Sequence, residues 1–430
     1  MLHIQKKGIV VKAQYSVLLL LFLSSFLYSK LPLSNFNCSI SGYIKGEAYS
    51  DSRQTVDAEI YDISFFPARQ KYDPEHEDIN ARGQTLFDAF ETRIGITCDG
   101  IKIKQADLKT FLEVDFEIFA ANITNLPHMR HAYGELTWKN TTLLFGQTWH
   151  PVVLAEPKTI NYSGANPFDY YARSPQLTVT HRPQPHIAII GSASMQVDYV
   201  SDGPYGLSSQ YMRWATIPNL DLQIRWLLNN YMINIGIDYK RIAPRIESAT
   251  LFKVHERLSS LSFFLNTRFT WQLVEMITKI NFGQNASDFS GMGGYAVQKG
   301  SINQITDHRK YTNLNNIACF TDIELTKNKK FKPGMFIGFS KNLGASTLIE
   351  HNIVDEQGTI LDKRIFGFVP DVNNAFRIST RLIGIIKNIT IGGEVEYTRA
   401  AYGDILNNGT VVNTKPVECI RCTFATYYYF

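Results

Sequence analysis

Short stretches in which apolar and polar residues alternate run nearly the length of this chain. In "FLEVDFEIF" (Phe111 to Phe119), Leu112, Val114, Phe116 and Ile118 share one face, while Glu113, Asp115 and Glu117 share the other. "NLDLQIRWLL" repeats the design, with Leu220, Leu222, Ile224 and Trp226 set against Asp221, Gln223 and Arg225. A period of two marks a β-strand with two chemically different faces. About sixteen such segments can be counted, the first at 39–48 and the last at 417–430, and no window shows a helical period.

The connections between these segments sort by length. Lys139–Asn140, Pro183 to Pro185, Asn229–Asn230 and Lys387–Asn388 are short. Between them lie long connections at 49–86, 150–175, 201–218, 243–257, 284–313, 343–373 and 400–416, the brief 120–128 being the exception. A stack of soluble sandwiches has no reason to sort its loops this way. A transmembrane barrel does, with short turns at one end, long loops at the other and an even strand number. Residues 30–430 are therefore expected to form one all-β domain. It is a transmembrane antiparallel β-barrel of about 16 strands, with short periplasmic turns and long extracellular loops, in a Gram-negative outer membrane.

The chain ends on "RCTFATYYYF", which places Cys422, Phe424, Thr426, Tyr428 and Phe430 on one face. In a closed barrel lipid covers that face and the first strand covers the edge. Composition agrees: 44% of residues are hydrophobic, yet mean hydropathy is only −0.13, because every second strand residue stays polar. Before the barrel, Lys6, Lys7 and Lys12 lead into the apolar run "SVLLLLFLSSFLYS". That is the layout of a signal peptide over residues 1–29. Its removal leaves 40 basic against 39 acidic residues, so no nucleic-acid footprint remains.

If one face of each strand meets lipid, the other lines the lumen. Inward basic candidates are Lys45, Arg93, Arg225, Arg268, Lys279, Arg377, Arg381 and Arg421. Inward acidic candidates are Glu91, Glu113, Asp115, Glu117, Glu135, Asp221, Asp238, Glu275, Asp322, Glu324, Glu394 and Glu396. An Arg or Lys on the lipid face would cost ~2–4 kcal/mol at the bilayer midplane. Facing inward, these side chains serve either as salt bridges that solvate a wall or as charged rings that select solutes. Barrel closure makes neighbours of the strands carrying Lys45, Arg93 and Arg421, with Arg377 and Arg381 nearby. This predicts one basic wall, with Glu113, Asp115 and Glu117 making another strand acidic.

Other chemistry is sparse. Five cysteines in irregular spacing make no disulfide scaffold, and Cys419 and Cys422, three apart on a strand, point to opposite faces. His128 and His131 enter a strand, where their spacing does not suit a metal. No Ser/His/Asp set has supporting structure, so no catalytic residue, metal or cofactor is expected. An outer-membrane barrel enzyme and a secreted β-rich binding protein are the alternatives to a channel.

A C-terminal strand ending in Phe430, with Tyr428 and Phe424 two and six positions earlier, is similar to the assembly signal of bacterial outer-membrane general porins. "FETRIGI" (Phe90 to Ile96), "RHAYGELTW" (Arg130 to Trp138) and "LLFGQTWHPV" (Leu143 to Val152) resemble the DcaP-like porins, which show an E-T-R-x-G strand, then R-H-A-Y-x-E, then G-Q-T-W. The motifs cover about 90–180. The cysteines and the long first connection depart from the family. The resemblance implies a homotrimer in outer-membrane lipid, each barrel passing small hydrophilic, often anionic, solutes. It also implies that the third long connection, 150–175, folds inward as the constriction. There Glu156 and Asp169 are candidates to face the basic wall, or to pair with Lys158 and Arg173 in an ordinary surface loop.

Overall fold

The computed structural model describes residues 36–57, 64–120, 123–162, 164–328, 330–356 and 359–430, and the signal segment expected at 1–29 lies outside them. Sixteen strands form the barrel wall. They are β1 (Asn37–Asp51), β2 (Gln84–Asp88 and Arg93–Ile103), β3 (Ala106–Ala120), β4 (Ile123–Thr137), β5 (Thr141–Trp149) and β6 (Arg173–Gln184). Then come β7 (Ile187–Ser194), β8 (Asn219–Leu228), β9 (Tyr231–Ile242), β10 (Leu258–Trp271) and β11 (Val274–Gln284). The wall is completed by β12 (Tyr311–Leu325), β13 (Phe331–Ala345), β14 (Val372–Ile386), β15 (Ile389–Ile405) and β16 (Val411–Tyr429). Each pairs antiparallel with its sequence neighbour, and β16 returns to β1 with Tyr43 opposite Tyr429 and Asp51 opposite Arg421.

The last residue completes this closure. Phe430 N–H donates to Gly42 O, and Gly42 N–H donates to Phe430 O. A Cβ at position 42 would run into Arg93 O and crowd the Phe430 ring, so glycine lets the seam close. The predicted outward residues Ile40, Ile44, Ile94, Leu112, Leu222 and Phe424 are exposed on the barrel exterior. That is the arrangement lipid requires and water would oppose.

Turns at one end are tight. Lys104 and Gln105 both take positive φ, the backbone of a two-residue hairpin turn whose twist matches its strands. Loops at the other end are long: L1 (52–83), L3 (150–172), L4 (195–218), L5 (243–257), L6 (285–310) and L7 (346–371). The connection expected at 400–416 is mostly strand instead. The β15–β16 hairpin carries on to Ile405 and resumes at Val411, leaving only 406–410 as a turn, with Gly409 at positive φ. Its polar residues resemble a loop because this hairpin continues beyond the level where lipid demands an apolar face.

One feature has no precedent in the alternation pattern. Cys38 and Cys98 lie directly opposite across β1 and β2 and form a disulfide. It is a single staple rather than a scaffold. Among the described residues Cys319, Cys419 and Cys422 are free, Cys419 buried and Cys422 exposed.

The interior is not the uniformly polar tube that alternation suggests. Short strands Thr55–Asp57 and Ser64–Pro67 of L1 turn into the barrel, and Phe65 and Phe66 pack with L3's Phe168, with Ile277, Phe320 and Phe336 of the wall, and with Tyr402. The β11–β16 side of the lumen therefore holds a hydrophobic core.

Candidate pore and constriction

L3 leaves β5 at His150 and crosses the lumen. Lys158 Nζ donates to Glu275 (2.6 Å) and Glu324 (3.1 Å) on β11 and β12. The N–H groups of Ile160 and Asn161 donate to one oxygen of Glu394 on β15, at 2.5 and 2.9 Å, and Asn161 Nδ2 donates to Glu396 (2.9 Å). Arg377 of β14 donates to Gly164 O (3.0 Å) and Asn166 O (3.1 Å) of L3 and to Phe65 O (2.7 Å) of L1, while its Nε meets Glu396 at 3.0 Å. One guanidinium thus pins both inserted loops. Phe168 fits over Gly338 of β13, where a Cβ would lie 2.5 Å from its ring. Asp169 pairs with Lys279 of β11, and Tyr170 donates to Asn316 (2.5 Å) on β12.

The opposite side stays partly open. A cavity of about 150 Å³ separates L3 from the wall and is lined by Glu91, Arg93, Glu156, Tyr162, Tyr171 and Tyr427 among others. Arg93 stacks over Tyr43 and Tyr162, Arg130 over Trp149 and Tyr162, and Arg173 over Trp149 and Tyr171, with ring centroids 5.2–6.0 Å away. Glu156 is exposed here, and among the described residues none hydrogen-bonds it or pairs with it.

Most of the charged residues read as inward are buried, Lys45, Asp115, Lys279, Arg377 and Arg421 among them, and most find a partner. Lys45 pairs with Glu47 (2.8 Å) and Glu91, and Arg93 with Glu91 (2.8 Å). Arg421 grips Asp51 through two bonds of 2.7 and 2.8 Å, and Arg381 grips Asp322 in the same way. Arg268 meets Glu275 at 3.5 Å, and Arg225 donates to Asn234 at 3.4 Å. The expected basic wall is brought together by β16, β1 and β2, but each of its five charges sits against a carboxylate, so it carries no free row of cations. Asp169 departs from expectation: Lys279 holds it on the β11 side. Lys158 and Arg173 bond elsewhere, Arg173 to Asp198 at 2.8 Å.

Arg130 is absent from the inward candidates, and the structure makes it central. It meets Glu113 (2.9 Å), Asp115 (2.8 Å) and Glu117 (3.7 Å) and donates to Tyr162 (2.9 Å). Alternation that turns Glu135 inward would turn Arg130 toward lipid. A register shift opposite Glu113 and Val114 puts both Arg130 and His131 inside. A strand pattern read one residue at a time carries no mark of that bulge.

No protein-family model matches the sequence, nor does the sequence of any curated protein. Solved structures do match in fold. The outer membrane channel DcaP of Acinetobacter baumannii superimposes with a TM-score of 0.64 at 13% identity, over 92% of this chain and 98% of that one. An anion-selective porin from Comamonas acidovorans gives 0.53 at 6% identity, over 92% and 100%. Salmonella typhi OmpF gives 0.52 at 11% identity, over 92% and 98%. The chain is a sixteen-stranded transmembrane β-barrel with the porin fold, and the DcaP-like likeness of its strand motifs extends to the architecture of the whole barrel.

Proposed function

We propose that this protein is an outer-membrane porin, a homotrimer in lipid whose barrels let small hydrophilic solutes, anions among them, diffuse passively. The observation that carries this reading is the pairing of an apolar exterior with an interior narrowed by L3 to a charged, tyrosine-lined opening. Barrels of this size would otherwise leave a wide aqueous channel. An inserted loop reduces it to a size at which charge and shape discriminate among solutes. The work asked of the side chains is positioning and screening, not bond-making.

Selectivity on this reading comes from the partly exposed Arg93, with Arg130 and Arg173 behind it, and from Glu156 opposing them. Purified protein in a planar bilayer should give discrete conductance steps, grouped in threes for a trimer, with a modest anion preference in a salt gradient. A bilayer that stays silent with correctly folded protein would refute the channel. Steps with cation preference would leave the channel standing and remove the anion reading.

A further inference from the structure

Nearly all buried carboxylates of the lumen have a cationic partner or a set of backbone donors. Asp221 on β8 and Asp238 on β9 do not. They sit directly opposite each other in register, both facing inward, 5% and 1% exposed. Among the described residues no Lys or Arg lies within salt-bridge distance of either. Neighbouring cations are already engaged: Lys240 by Asp288 and the Asn285 carbonyl, Lys279 by Asp169, and Arg225 by Asn234. His150 is neutral in the geometry seen. Its Nδ1 accepts from Val152 N–H, and its Nε2 lies 3.6 Å from Asp238, too far for a hydrogen bond.

Several oxygens on this inner patch of β8 and β9 are left over. Asp221 Oδ2 and Asp238 Oδ2 are buried without a hydrogen-bond partner. So is Oε1 of Gln223, a side chain 1% exposed whose Nε2 donates to Asp221 (2.8 Å), which fixes the amide beside the dyad. Asn219, at the next inward position of β8, has its Oδ1 unpartnered as well. Like charges opposed across a strand pair repel, and burial removes the water that would screen them. Two carboxylates with amide oxygens beside them are the ligand set of a hard divalent cation.

We infer that Asp221, Asp238 and Gln223, with Asn219 in support, form a site for a divalent cation of the calcium type. Gln223 Nε2 also donates to Pro151 O at the root of L3 (2.7 Å), so occupancy would steady the base of the constriction loop. The cluster of Asp115, Glu117 and His128 offers metal-ligand atoms within 4.8 Å of one another, but Arg130 already compensates its charge. The absence of such an arginine sets the β8–β9 dyad apart.

The test uses the full chain purified in detergent, stripped with EGTA and dialysed, with calcium chloride as the probe. Calorimetric titration of the wild type should show one Ca²⁺ bound per chain, with Mg²⁺ weaker, and Ca²⁺ should raise the melting temperature. Asp221→Asn and Asp238→Asn should each weaken Ca²⁺ binding by about tenfold or more. Asp221→Asn, relieved of one charge, should melt no lower than stripped wild type and should not respond to Ca²⁺. Heat-modifiable gel migration confirms that each variant is folded. If one variant does not fold, the other and direct metal analysis of the dialysed wild type decide. Wild type that neither binds Ca²⁺ nor melts higher with it, or variants that bind as tightly as wild type, would overturn the site.

Discussion

On the β11–β16 side of the lumen, Arg377 and Glu396 lie beneath L1 and L3, Phe168 of L3 packs beside them, and all three are buried. On the β1–β6 side, Arg93 and Tyr162 remain partly open and Glu156 is exposed. Both sides use arginine, carboxylate and aromatic ring. The difference lies in what the charges touch. Arg377 spends its donors on backbone carbonyls of two loops, and so serves as a fastener. Arg93 bonds one carboxylate and lays its face on two tyrosines, which leaves an electric field directed into the opening. A charged residue on the inner face of a barrel strand is therefore not yet a selectivity residue. Loops arriving from elsewhere decide.

The largest effect should follow from breaking the packed side. Arg377→Ala removes the hydrogen bonds to Phe65, Gly164 and Asn166 and leaves Glu396 buried without its cation. Stranding one partner of a buried ion pair costs about 3–5 kcal/mol. L1 and L3 should loosen, raising single-channel conductance and current noise and speeding proteolysis within L1. Ion preference should change less than conductance. A variant with wild-type conductance and altered selectivity would mean that Arg377 faces the permeating solute after all.

Arg93→Gln and Glu156→Gln probe the open side, and their effects should be smaller and of opposite sign. Arg93→Gln leaves Glu91 its other cation, Lys45, so folding should suffer less than in Arg377→Ala. The reversal potential in a salt gradient should move toward cations. Glu156→Gln should move it toward anions and leave stability untouched, since Glu156 has no bond to lose. Both shifts should shrink in strong salt, where the Debye length falls from about 8 Å to about 3 Å. Shifts of the same sign, or none, would mean that the opening beside L3 is not where ions pass.

Much of this barrel was legible as pattern. Lipid imposes an apolar outer face on every strand, so Leu112, Leu222 and Phe424 announce their side without any knowledge of tertiary contacts. Sorting of the loops follows from the same constraint. The site was legible only in part. Alternation tells that Arg377 faces inward, and the porin resemblance that Asp169 rides on an inserted loop, but not that Phe65 and Gly164 will cover one, or that Lys279 will take the other. Arg130 was hidden by a bulge, and the Cys38–Cys98 pairing by 60 residues of separation, most of them in L1. Period-two reading reports which face a residue occupies and is blind to what crosses the lumen to meet it.

The smallest effect concerns the roof over the packed side, where charges outside the membrane tie three loops together. Arg245 of L5 bonds Glu256 twice at 2.8 Å and Asp307 of L6 at 2.6 Å. Arg309 bonds Asp307 (2.8 Å) and reaches Asp362 of L7 (3.2 Å), and Arg364 meets Asp362 (2.8 Å) and Glu350 (3.4 Å). Burial pushes the Asp307 carboxyl up, but hydrogen bonds from Arg309, Arg245 and Ala249 N–H outweigh it and hold the group below the ordinary aspartate value. A carboxyl depressed in the folded state lends stability that is fully present above its unfolded value, about 4, and is lost as pH falls through its lower folded value. The clasp should therefore hold at neutral pH and loosen only in strong acid. Limited proteolysis should cut L5–L7 faster at pH 3 than at pH 7, the barrel itself remaining intact. Asp307→Asn should reproduce the acid behaviour at pH 7 and flatten the difference, because it removes the charge that both arginines share. Conductance should barely change, as L1 and L3 are fastened below by Arg377 and Glu394. Cutting rates independent of pH would show that the loops are held by their packing, with Tyr295, Tyr311 and Phe366 clustered beneath them, and that the ionic clasp adds little.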